Sequence, residues 1–562
     1  MTSKLRSWVP RDWTLPTLIL VYWVARYWHS PAFGLYADDL TVVPRAIDMS
    51  AAEMAAYIAT FIVHLYDDGR PLFNSLNYLL SSLGWQMAGL FGAYLVGFAL
   101  QALNLALFYR LVERPYGPWV ARWAGLGYLL FAADTTQVWL HRSLGADPSL
   151  TLLFLALQAY LDRRLLVAYP LAAVILLSYE SPYPVFLAAP LLTPGPSAQK
   201  RREWARHAAL GLVILAGGYL IRQAIGTERV TAQPPVEMIE LSLLHMLQGP
   251  VVSLGTYLYR PIQVLVSRNV EALAMAAVSL PVFVWLTADR RGRTLPSREG
   301  TDPAGSVGPL RCFSRPLLVG LAMLALGYML TFTVRAYAIS GRDTRVHFAA
   351  TPGAALVFAG VAGIAQAALR PASAPWLGRS IVALEASLLM GFGFVLQRDY
   401  VDAWRLQREL WSALLPQIQD AGEGTVILVD PIGLEDTRQI DATTWNLPRV
   451  LSGLYRMPAE WSPPPRVYRG LLDWREFLIL PDGSLRINAD TTISPPGEHT
   501  TTDWEHLIVI HTGTGVVRRR DPLVIDEIAY PLRPPGEPVL DQLERRPLYD
   551  LLILPDPSVG SP

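Results

Sequence analysis

Up to Leu396 the chain is a series of apolar runs separated by short polar segments; beyond it, short apolar stretches alternate with polar ones. Runs of roughly 14–25 residues are the length that crosses a hydrocarbon core about 30 Å thick. The pattern predicts eleven spans: Leu15–Trp28, Phe91–Val112, Trp119–Ala133, Leu150–Leu161, Leu165–Tyr179, Val185–Leu192, His207–Ile225, Val270–Thr287, Pro316–Arg335, Ala349–Leu369 and Ser380–Leu396. Several are short, which implies tilt or local thinning of the bilayer. Residues 397–562 change character. "RDYVDAWRLQRELWSALLPQIQDAGEG" is patterned as an amphipathic helix ending at glycine. "TVILVD", "REFLILPDGSLRINAD" and "HLIVIHTGTGVVRRR" are patterned as strands, with turns at Asp482-Gly483 and Gly513–Gly515. The expected architecture is a polytopic α-helical membrane domain over 1–396, followed by a small extracytoplasmic α+β domain over 397–562.

The polar segments carry the sidedness. Arg110, Arg114, Arg122, Arg163, Arg164, the stretches "QKRREWARH" and "DRRGRTLPSR", Arg370 and Arg379 all fall on one side if the N-terminus is cytoplasmic. Cytoplasmic loops collect Lys and Arg, so that orientation is expected, with the tail outside. Lys4, Arg6 and Arg11 precede the first run, and no small-residue cleavage site follows it, so it is expected to stay as an uncleaved span. The outer segments are then a long first loop, 31–90, and the segments "DTTQVWLHRSLGADPS", "SYESPYP", 226–269 and "AYAISGRDTRVHFAATPG". Within the first loop, Met54, Ile58, Phe61, Ile62 and Leu65 recur at helical spacing, as in a helix lying in the interface.

Composition sharpens this picture. Hydrophobic residues make up 52% and charged residues 17%, against about 25% charged in an ordinary soluble protein. The net charge is zero, which gives no basic surface for nucleic acid. Cys312 is the one cysteine, so no intrachain disulfide can form.

The chemistry-bearing residues sit in the outer segments. Asp38 and Asp39 stand side by side just after the first run. The plain role is a solvated loop start. The sharper one is a general base at the water–lipid boundary, where adjacent carboxylates raise one another's pKa and one can accept a proton near neutrality. Arg70, Arg142, Arg260, Arg342 and Arg345 are the outer-side cations able to pair with a phosphate. His64, His141 and His347 share that side, but their spacing matches no metal-ligand motif.

Four features follow one another in order: "YADDL" after the first span, "DDGRPLFNSLNYLL" before the second, "RSLGADPSLTLLFLALQAYLDRR", and "LLSYESPYPVFLAAPLL". Together they resemble the GT-C superfamily of integral membrane glycosyltransferases, which includes protein O-mannosyltransferases and lipid A aminoarabinose transferases. The likeness covers about the first 395 residues; the tail resembles nothing recognisable. It implies transfer of a sugar, with inversion, from a polyprenyl-phosphate donor to an acceptor hydroxyl on a glycan, lipid or protein. The implied setting is the outer face of a bacterial inner membrane. A first-loop carboxylate would be the base, which points to Asp38 and Asp39, with Asp38 slightly preferred. Asp134 or Asp147 would assist, although Asp147 before Pro148 also suits a helix cap. Arg70, Arg342 and Arg345 would hold the donor phosphate. Glu180, His64 and His347 are further candidates, and some members of the superfamily use a divalent cation such as Mg or Mn. Two other classes fit a membrane chain of this kind: a transporter or flippase of lipid-linked sugars, and a non-catalytic anchor for the tail. A transporter predicts ionisable groups within the spans and internal repeats; an anchor predicts indifference to loss of Asp38 and Asp39.

Overall fold

The computed structural model describes residues 13–64, 69–193, 197–225, 234–287, 309–332, 335–368, 376–430, 439–440, 447–469, 477–480, 484–487, 500–513, 516–525 and 528–555. Among them, five helical stretches are long and apolar enough to cross a membrane: Pro71–Leu129, His141–Leu161, Arg201–Ile225, Arg342–Gln366 and Leu377–Gln417. Shorter apolar helices, among them Leu165–Ser178, Val270–Leu286 and Phe313–Leu326, accompany them. The uncovered helix faces are apolar, with Leu166, Val213, Leu220, Val270, Val278 and Leu318 all exposed. Water would disfavour such faces and lipid would not.

The eleven predicted spans are not reproduced one for one. Spans two and three lie in a single helical run, Pro71–Leu129, broken at Ala88–Gly89 and again at Gly117. Gly89 (φ 61°) and Gly117 (φ 84°) adopt left-handed backbone, which costs glycine little. Val185–Leu192 is no span: a 3-10 turn, Tyr183–Ala188, runs into one turn of helix, Ala189–Leu192. At about 1.5–2 Å of rise per residue this cannot cross the bilayer. The segment 226–269, expected as a loop, contains a 33-residue helix, Pro235–Ser267. Its exposed residues Ile239, Leu243, Leu247, Val251, Leu258 and Ile262 follow helical spacing. Pro250, Pro261 and the interspersed polar residues had masked that period. Finally, Leu377–Leu414 is one continuous helix of 38 residues, so the last predicted span and the amphipathic segment of the tail form a single rod.

At one end of this bundle the first long loop folds into two helices, Asp39–Asp48 and Ala51–His64. Met54 and Phe61 pack with Val42, Ala46 and Tyr78, while Ile62 and Val63 stay exposed. The tail sits on this end. Its main sheet has strand order Arg466–Arg469, Val426–Asp430, Leu507–Gly513, Val516–Arg519. The first three strands are parallel and the last is antiparallel, with Val426 opposite both Arg466 and Leu507. Gly513 pairs with Val516, so "HTGTG" ends a strand at a hairpin; the hairpin tip and the Asp482-Gly483 turn lie outside the described residues. A helix, Leu447–Leu454, connects the first two parallel strands and packs on Asp39–Asp48. Asp48 adds ion pairs to Arg546 (3.4 Å) and Arg456 (3.8 Å). Tyr27, Phe33 and Tyr36 share one buried cluster with Ile427, Val450 and Leu548, so core packing is continuous from bundle to tail.

Candidate active site

Ala37 takes a left-handed conformation (φ 47°) just before the two aspartates. The turn sends them in different directions. Asp39 opens the helix Asp39–Asp48 and is wholly buried. Its Oδ2 accepts the N–H groups of Tyr36 and Leu140, each at 3.2 Å, and its Oδ1 accepts that of His141 at 2.6 Å. Burial pushes its carboxyl up to about 7, although these three N–H groups pull the other way.

Asp38 instead faces a cavity of about 270 Å³. Its Oδ2 lies 3.5 Å from Arg345 Nη1, 3.7 Å from Arg342 Nη2 and 3.6 Å from His141 Nε2. Both arginines come from the 3-10 helix Arg342–Ala350. Three residues make one turn of such a helix, so side chains at i and i+3 eclipse, and the two guanidiniums reach Asp38 together. The backbone N–H of Gly341, just before this turn, bonds Gln439 O of the tail at 2.9 Å. His141 is oriented by Asn77, whose Nδ2 lies 2.6 Å from Nδ1. An amide NH₂ can only donate, so Nδ1 accepts and Nε2 carries its hydrogen towards Asp38.

The other predicted residues divide between the cavity and its supports. Arg70 lines the cavity; its Nε bonds Glu180 Oε2 at 2.8 Å, its Nη2 bonds Oε1, and it lies 4.2 Å over the Tyr179 ring. Glu180 also accepts from Arg222 at 3.1 Å, so it ties two guanidiniums together. Asp134 and Asp147 are buried and are not among the cavity-lining residues. Both carboxylates pair with Arg142, which lines the cavity and lies 3.8 Å from the Phe348 ring centre. Asp134 Oδ1 further accepts from Thr136 N at 2.8 Å and Oγ1 at 2.7 Å. Arg142 belongs to a π-helical turn, His141–Ala146, a widening often found at functional sites. His347 is fully buried between Ala338 O (2.7 Å) and Tyr328 Oη (2.6 Å). Arg260 bonds Ile339 O and Gln263 and lies over Phe392, away from the cavity. The His64 side chain, with Asp67 and Asp68, lies outside what the structure describes.

A second cavity, of about 470 Å³, adjoins the first and shares Glu180, Leu330 and Phe332 with it. Its walls are apolar, formed by residues such as Leu176, Leu212, Leu215 and Met238. A greasy chamber therefore opens beside a charged one; Glu180 lines both, held by Arg70 on the charged side and by Arg222 on the apolar side.

No family model matches the chain. No curated protein matches it either. Among solved structures it is similar to ArnT from Cupriavidus metallidurans. The apo state aligns with a TM-score of 0.40 at 13% identity, over 84% of this chain and 87% of that one. The form bound to undecaprenyl phosphate aligns with a TM-score of 0.38 at 13% identity, over 89% of this chain and 92% of that one.

Among the described residues, no three His, Cys, Asp or Glu side chains come together as metal ligands. The partners of Asp38 here are N–H donors, suited to an anion and poorly suited to a divalent cation. Sequence reasoning missed three residues of the site. The sequence offers His141 only as a possible metal ligand. Arg222 ends a predicted span, where a snorkelling role hides a pairing one. Arg449 reaches the cavity from the tail, the part with no recognisable likeness.

Proposed function

We propose that the chain is an inverting membrane glycosyltransferase of the GT-C type. It would move a sugar from a polyprenyl phosphate to an acceptor hydroxyl, with Asp38 as general base. One observation carries the proposal: Asp38 is the carboxylate that faces Arg342 and Arg345 in a cavity adjoining an apolar chamber. The ordered sequence motifs support the same reading.

The chemistry follows from the charges. The prenyl chain lies in the apolar cavity, and its phosphate meets Arg70, Arg342 and Arg345. A phosphate oxygen competes with Asp38 for the two later guanidiniums, since both form charge-assisted bonds of similar strength. Asp38 is thereby released from its clamp when donor is present. The acceptor hydroxyl attacks the anomeric carbon, its proton passes to Asp38, and the bond from that carbon to the phosphate oxygen breaks. The phosphate leaves with the electron pair and gains charge, which the arginines stabilise in a water-poor site. His141 keeps Asp38 oriented through Nε2–H. Asp134 and Asp147 position Arg142 from behind the wall.

A general base contributes about 10²–10⁴-fold to rate. In membranes supplied with radiolabelled polyprenyl-phosphate sugar, Asp38→Asn should lose at least about 10²-fold in transfer while still binding undecaprenyl phosphate. Transfer at the wild-type rate would remove Asp38 as the base.

A further inference from the structure

The cavity that holds Asp38 is lined by two carboxylates, Asp38 and Glu180, and five guanidiniums, those of Arg70, Arg142, Arg342, Arg345 and Arg449. Four of the five are committed. Arg70 is on Glu180, Arg142 is on Asp134 and Asp147, and Arg342 and Arg345 flank Asp38. Arg449 differs. Its guanidinium has no hydrogen-bond or ion-pair partner among the described residues.

The helix that carries it explains its direction. In Leu447–Leu454, the residues Leu447, Val450, Leu451 and Leu454 are buried. They recur at i, i+3, i+4 and i+7, one helix face. Arg449 is off that face and exposed, yet it lines the cavity. The tail is held there by the Gly341–Gln439 bond and by Asp48 against Arg456 and Arg546. The wall of the cavity is therefore incomplete without the tail.

Resting on the function proposed above, we propose that Arg449 forms a second anion subsite, one that binds a phosphate or carboxylate group on the acceptor. The donor supplies a single phosphate, and it reaches the cavity from the apolar chamber beside Glu180. Arg70, Arg342 and Arg345 suffice for that group. Arg449 arrives from the tail and is exposed, so a water-borne reactant can reach it. An anionic acceptor gains a charge-assisted bond there that a neutral one cannot form. Its hydroxyl is thereby oriented towards Asp38, and neutral acceptors are discriminated against.

The test uses the full chain in nanodiscs saturated with undecaprenyl phosphate, titrated with inorganic phosphate by calorimetry. The loaded wild type should bind phosphate, and Arg449→Gln should weaken that binding about tenfold or more. Arg449→Lys should recover part of it. Affinity of Arg449→Gln for undecaprenyl phosphate should stay within about twofold, since a rim charge off the donor path adds little. Equal phosphate binding by Arg449→Gln and wild type, or none by the loaded wild type, overturns the subsite. If undecaprenyl phosphate fails to bind while Arg449-dependent phosphate binding persists, the donor assignment fails and the anion subsite stands.

Discussion

Asp39 Oδ1 accepts the backbone N–H of His141 at 2.6 Å, across 102 residues of sequence. With Leu140 on the other oxygen, this carboxylate fastens the second loop to the first. His141 in turn faces Asp38, so the brace sets the position of a cavity residue. An asparagine at position 39 would turn an NH₂ towards one set of these N–H donors. Leaving buried donors unpaired costs about 1–3 kcal/mol. Asp39→Asn should therefore lower the melting temperature in detergent, and transfer should fall with it. Asp38→Asn should leave melting nearly unchanged. Similar melting temperatures for Asp39→Asn and wild type would show the brace to be dispensable.

The same carboxyl predicts a pH dependence of stability. Its value rises from 3.8 to about 7 on folding, chiefly by burial. The folded state then holds a proton that the unfolded chain has already released. The contribution is fully present below about pH 4 and is lost as pH rises through about 7. The hydrogen-exchange protection factor of a peptide spanning Thr136–His141, which is taken relative to the intrinsic exchange rate at each pH, should fall over that window in wild type. In Asp39→Asn the fall should vanish; its persistence would assign it to another group.

How far these features were legible follows from which interactions are local. Membrane-length apolar runs, the helix within the first loop and the tail strands are periodic patterns, and sequence displays them. The Asp38-Asp39 pair was visible for the same reason. Which of the two faces the cavity depends on the backbone at Ala37 and on N–H groups a hundred residues away, and no local pattern encodes that. That Arg342 and Arg345 reach Asp38 together depends on the 3-10 turn, which places both on one face. Pro235–Ser267 was hidden by its own prolines and polar residues. Arg449 could not be foreseen, because its place depends on how the tail docks.

Behind the cavity wall, Arg142 is balanced by Asp134 and Asp147, all three buried. Arg142→Met would strand both carboxylates, whereas Asp147→Asn leaves Arg142 paired with Asp134. Stranding a buried charge costs about 3–5 kcal/mol, so Arg142→Met should lower the melting temperature more than Asp147→Asn does, and transfer should fall with it. If Asp147→Asn melts lower than Arg142→Met, the penalty lies in packing and not in stranded charge.

In the tail the sign of the pH effect reverses. Asp420 is 4% exposed and accepts from Arg519 Nη1 at 2.8 Å, from Arg533 Nη2 at 3.0 Å and from the Gly536 N–H at 3.0 Å. Burial acts to raise its pKa, but the Gly536 N–H and the two guanidiniums outweigh it, and the net shift is downward from 3.8. The unfolded chain then takes up a proton before the folded one does. The stabilisation is present above about pH 3.8 and is lost as pH falls through the lower, folded value. Asp420 joins the strand Val516–Arg519 to the segment after Leu532, so acid should loosen the tail sheet before it loosens the bundle. The hydrogen-exchange protection factor of a peptide spanning Leu507–Gly513 should fall below pH 3.8 in wild type. Asp420→Asn should be less stable at neutral pH, by about 3–5 kcal/mol where Arg519 is left half-paired, and should lack the acid-dependent step. An acid step of equal size in the variant would show that some other carboxylate holds the sheet to the segment behind it.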